Sequence, residues 1–144
     1  MIAGMFDSGA MPTIERVVQF TEARHGRLAS DIANLSTPYF KPTDLDVEAF
    51  QDSLGDAIDR RRKQPNPTRG ELQLRDTHDV AFHRHGLTVD AEASNDNILF
   101  HDRNNRDLER IMQRLAENTM THNVAVDLLK NQFDMLKLAI RERL

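Results

Sequence analysis

The chain has 144 residues, 39% of them hydrophobic and 29% charged, with a net charge of −4, no Trp and no Cys. That length makes one domain, expected to span 1–144, and the acidic balance argues against bulk binding to nucleic acid or to an anionic membrane surface. Without Cys there is no disulfide, no Cys-zinc site and no thiol nucleophile, and no apolar run is long enough for a membrane-spanning helix, so no direct membrane insertion is expected.

The first residues lack a basic stretch and do not read as a cleavable signal. Thr13, after Pro12, is a candidate N-cap, with Glu15 at the positive end of a helix expected over 13–35. Ile14, Val18, Thr21, His25, Leu28, Ile32 and Leu35 alternate spacings of four and three along it. Such a repeat keeps one seam facing a partner helix, as in coiled coils. Ser36-Thr37-Pro38 ends the helix by proline sterics. Asp44 or Asp46 can cap a second helix over 44–62, with Val47, Phe50, Leu54 and Ile58 on one face. The run Arg60 to Lys63 reads as a solvated C-terminus that favours cations, with contact to phosphate or to an acidic neighbour as the competing reading.

Residues 64–105 are expected to form a loop and short-strand region, in which the signals from Glu71 to about Phe100 are weak. Leu72/Leu74 and Leu87/Val89/Ala91 alternate over short spans, as in short strands or extended loop, and Ser94-Asn95-Asp96-Asn97 is turn chemistry. This stretch is expected to be the most mobile. A long helix over 106–143 follows, capped by Asn104 or Asn105. Its stripe comprises Leu108, Met112, Leu115, Thr119, His122, Val126, Leu129, Phe133, Leu136, Ile140 and Leu144. It would be about 55 Å long at 1.5 Å per residue, too long for so small a chain to cover. The expected fold is therefore mainly α: long terminal helices paired as a coiled coil, with a short middle helix and an irregular or short-strand insertion. The terminal helices are expected to gain full order only against neighbouring subunits.

Little chemistry suggests itself. His78, His83, His85 and His101 lack metal-ligand spacing and read as solvated loop residues. Asp90, Glu92, Ser94 and Asp96 lack the Gly and final Glu of a calcium loop. No phosphate loop or nucleophile elbow is present, so neither catalytic residues, cofactor nor metal is expected. His25 and His122 interrupt the stripes as polar positions that could set register, or sense pH.

One segment carries a resemblance. Leu28-Ala29-Ser30-Asp31-Ile32-Ala33-Asn34-Leu35-Ser36-Thr37-Pro38-Tyr39-Phe40-Lys41 resembles the signature Leu-x-x-Asn-Ile-Ala-Asn-x-x-Thr-Pro-Gly-Tyr-Lys of bacterial flagellar rod, hook and filament-axis proteins. Ile32, Ala33, Asn34, Thr37, Pro38 and Lys41 match. Asp31 replaces Asn, Phe40 replaces Tyr, and Tyr39 replaces Gly, which is expected to disfavour a positive φ there. Asp102 to Glu109 is similar to the Asp-Gly-Asn-x-Val-Asp-Leu segment of the FlgB family of basal-body rod proteins, with Arg103 for Gly and Arg106 for Val. Leu115-Ala116-Glu117-Asn118, Leu128-Leu129, Phe133, Leu136 and Ala139-Ile140 resemble that family's last helix, with His122 for its usual Tyr.

The resemblance implies a structural subunit of the proximal rod in the periplasm, exported without a cleaved signal. It further implies self-association in a helical assembly. Other partners would be further rod proteins, the rod-to-membrane-ring adaptor and, during secretion, the export apparatus. Ile14, Val18, Leu28, Ile32, Leu35, Leu108, Met112, Leu115, Val126, Leu129, Phe133, Leu136 and Ile140 would form the assembly interface. Asn34, Thr37 and Pro38 would shape the elbow. Competing readings are another rod component of the same superfamily and a helical adaptor or chaperone that binds one partner through its stripes.

Overall fold

A computed structural model describes residues 9–66, 72–83, 86–90 and 108–141. Its elements are α1 (Met11–Ala33), α2 (Val47–Arg62), β1 (Val80–His83), β2 (Gly86–Val89) and α3 (Leu108–Arg141). The fold is mainly α, with long terminal helices and a two-stranded antiparallel sheet between them. The Ser94–Asn97 turn, the Asn104 and Asn105 caps, His85, His101 and Leu144 lie outside the described residues.

Thr13 does not cap α1. The helix begins two residues earlier, with Ala10 as N-cap, no side-chain cap and Pro12 in the first turn. A proline there gives up only an N–H that has no helical partner, so the helix starts ahead of it. Glu15 consequently lies beyond the first turn. At the other end Asn34 closes the helix: its backbone N–H and its Nδ2 both donate to the Ser30 carbonyl, at 3.0 and 2.9 Å. Asp46 caps α2, accepting from the Ala49 amide at 2.9 Å.

α1 is the central element. On one side Phe20 joins Leu45, Phe50 and Val80 in a buried cluster, against which Val47, Leu54, Leu74, Phe82, Leu87 and Val89 pack. Phe20 and Phe50 stack nearly parallel with centroids 4.0 Å apart. The hairpin pairs Val80 with Val89 and His83 with Gly86, and Leu72 is buried in extended chain ahead of it. Arg16 donates to the Gly86 carbonyl and Arg27 to that of Val89, tying α1 to β2. The adjoining side of α1 packs against α3. The end helices thus pair with each other within the chain, as in the expected fold.

Candidate assembly interface

The α1–α3 seam is antiparallel, and polar groups mark its register. Asn118 is buried and donates from Nδ2 to the Thr21 carbonyl at 2.8 Å. Thr21 Oγ1 lies 2.9 Å from His122 Nδ1. Stepping one heptad either way sets Ile14 towards Ala125, and both line one groove; the other step sets Leu28 towards Ile111, both buried. The buried positions of α3 are Ile111, Asn118 and Ala125, with Leu115, His122, Leu129 and Leu136 half-buried beside them.

This seam is turned from the expected stripe. Leu115 and Leu129 belong to both, whereas Leu108, Met112, Phe133 and Ile140 are exposed, and Val126 and Leu136 are half-buried. The physical reason is that α3 is apolar on more than one side, and the smaller Asn118 and Ala125 let α1 approach closely. On α1, Leu28 is fully buried in the chain's own core, while Ile14, Val18, Ile32 and Leu35 are half-buried. His25 is exposed and sets no register; that role falls to Asn118, Thr21 and His122.

Beyond Ala125 no described residue of α3 is buried, although the helix continues to Arg141, about 24 Å further at 1.5 Å per residue. Met120, Val124, Leu128, Met135 and Leu138 form an exposed apolar line along it. The upper part of that line walls a groove of about 400 Å³ with Thr13, Ile14 and Val17.

The elbow between α1 and α2 is built from consecutive turns, in which the Thr37 amide donates to the Asn34 carbonyl at 2.9 Å and that of Phe40 to Thr37 at 3.3 Å. Thr37 and Pro38 are exposed and Asn34 half-buried. Tyr39 adopts φ +62°, against the expectation from its side chain. The surrounding turns impose on Tyr39 the backbone that a glycine takes freely.

Two carboxylates hold the elbow to the helices. Asp31, buried in α1, accepts the Thr43 amide on both oxygens at 3.2 and 3.1 Å. Asp44 accepts from Arg24 Nε and Nη2, both at 2.7 Å, and lies 3.4 Å from Arg114 of α3. One carboxylate therefore joins α1, the elbow and α3. An Arg at heptad offset from a distant Asp leaves no local pattern, so the sequence gives no sign of this clip.

The basic run is not simply solvated. Arg61 is buried and donates to the Gly9 carbonyl at 3.1 Å, and Arg60 donates to that of Gln73 at 3.0 Å. Arg62 stays exposed beside Asp59. The helix end thus pins the chain entering α1, because a guanidinium on a long stem can reach main-chain acceptors while burying its methylenes. Among the histidines, His78 bonds Asp79 and His83 bonds Thr88. Among the described residues no three His, Cys, Asp or Glu side chains gather at a metal-holding distance, and no helix is long and apolar enough to cross a membrane.

These features define an antiparallel pair of long helices with a small α/β brace on one side and an apolar helix face that the described residues leave exposed. No family model matches the chain, and no curated protein matches its sequence.

Proposed function

We propose that the chain is a structural subunit of the proximal rod of the bacterial flagellar basal body, assembled through its terminal helices. The observation that carries this reading is the exposed face of α3. Its apolar line continues past the start of α1, where the described part of the chain buries none of it. Apolar area of that extent marks a surface for a partner. The matched residues Asn34, Thr37 and Pro38 and the positive φ at Tyr39 add support. The resembled signature has Gly at position 39, and the elbow has the backbone shape such a Gly would serve.

The test is deletion of the gene followed by complementation. Deletion should abolish swimming and leave basal bodies without a rod, and the intact chain should restore both. Leu128→Asp with Leu138→Asp should not restore them although the subunit is made and helical, because both residues lie on that exposed line. Normal basal bodies in the deletion strain would overturn the reading.

A further inference from the structure

α3 carries two apolar lines on one helix. The first is the seam to α1. The second comprises Met120, Val124, Leu128, Met135 and Leu138, which are between 48% and 70% exposed, with Asn131 filling the gap in the spacing. Its upper half forms a groove with Ile14 and Val17. Its lower half is a ridge that runs past the start of α1. Groove and ridge therefore lie end to end on the same face, which makes the face self-complementary under a two-fold rotation.

We propose that two copies of this chain pair through this face, α3 antiparallel to α3, about an axis passing near Leu128 and Asn131. Met135 and Leu138 of each copy then lie in the groove between Val17 and Val124 of the other. Each ridge finds the third wall that its groove partner lacks. Pairing covers the exposed line along its full length, as a knobs-into-holes seam does.

Charge selects the polarity. With the axis at that point, antiparallel pairing sets Arg141 of one copy opposite Glu117 of the other and Lys130 beside Asp127, and the symmetry repeats both pairs. Parallel alignment in register would set Glu117 against Glu117, Asp127 against Asp127 and Lys130 against Lys130, which is repulsive throughout. Lys130 and Asp127 pair with each other along the helix at 3.5 Å, and with side chains 69% and 72% exposed each can exchange that partner for its counterpart on a second copy.

The pairing does not depend on the rod reading, but it has a consequence there. A two-fold pair is closed, whereas a shaft whose subunits all point one way needs open contacts. The pair would be a resting form that hides the assembly face and opens before the subunit is incorporated.

The absence of Cys makes single-cysteine variants clean reporters. In the purified full chain, oxidised Leu128→Cys should form a disulfide-linked dimer. Met120→Cys and Leu138→Cys should each fail to cross-link alone and should cross-link when mixed. Sedimentation velocity should show a dimer for the unmodified chain and a monomer for Val124→Asp with unchanged helical circular dichroism. Glu117→Arg should weaken the dimer at low salt at least threefold, and adding Arg141→Glu should restore it. Cross-linking of Met120→Cys with itself would replace this arrangement by a parallel one, and a monomeric unmodified chain would overturn the pairing altogether. Loss of swimming plays no part in these readouts, so the pairing and the rod reading can fail separately.

Discussion

Asp31 and Tyr39 sit eight positions apart at the elbow and carry opposite kinds of strain. Burial pushes the Asp31 carboxyl up from its ordinary 3.8 to about 6. The Thr43 amide pulls the other way, the negative charge of Asp44 adds to the rise, and the guanidinium groups of Arg27 and Arg114 oppose it. The native state therefore keeps a proton that the unfolded chain has already lost between pH about 4 and 6. Stability from this group is complete below that window and falls as pH rises through it. Asp31→Asn retains an acceptor for Thr43 without a charge to bury. It should stabilise the protein at pH 7.5 by on the order of 1–2 kcal/mol, with the gain vanishing near pH 4. Urea unfolding of both proteins at the two pH values measures this, and a less stable Asn variant at pH 7.5 would show that the carboxylate is favourable where it lies. At Tyr39 the strain is in the backbone. Its side chain is 75% exposed, so little packing is lost on removal. Tyr39→Gly should raise stability by about 1 kcal/mol, the cost of a left-handed conformation for a residue with a Cβ, and thermal unfolding should show it.

At the scale of elements, the pattern of the sequence locates the helices better than it orients them. Periodicity places α1, α2 and α3 within a few residues, because proline and capping chemistry punctuate the chain at Pro38 and Asp46. The facing of α3 was not legible in the same way. A stripe through Leu108, Met112 and Phe133 and another through Ile111, Asn118 and Ala125 are adjacent, and only the packing of α1 chooses between them. A polar residue at the buried position looks like a break in the seam when read along one helix, yet it is what fixes the register across two. β1 likewise escaped notice, since Val80-Ala81-Phe82-His83 is too short to show alternation, and Val80 is buried by Phe20 and Phe50 from elsewhere in the chain. The register role of Asn118 can be measured. Asn118→Ala removes its bond to the Thr21 carbonyl and leaves a small void, which should cost about 1–3 kcal/mol. His122→Ala, at a half-buried partner of Thr21, should cost less. If both variants unfold at the same denaturant concentration as the parent, register is set by apolar packing alone.

For the whole molecule, the question is what makes an antiparallel pair of long helices and a small α/β brace into one cooperative unit. The buried cluster around Phe20 joins α1 to α2 and the hairpin, but it does not include α3. α3 is held by the seam and by Asp44, which reaches Arg24 on one side and Arg114 on the other. Removing that carboxylate leaves two mostly buried guanidinium groups without it, a loss larger than the net worth of the ion pair itself. Asp44→Ala should therefore destabilise the fold by about 3 kcal/mol or more. The loss should be uneven. Amide exchange should quicken across 108–125 more than around Phe50, because α3 loses its clip while the cluster on the adjoining side of α1 keeps its packing. Double substitution of Asp44 and Arg114 by apolar residues of similar size should recover only part of the loss, since it deletes one of the two stranded charges and leaves Arg24. Uniform acceleration of exchange in Asp44→Ala would mean that α3 and the brace unfold as one body, and that the seam rather than the carboxylate couples them.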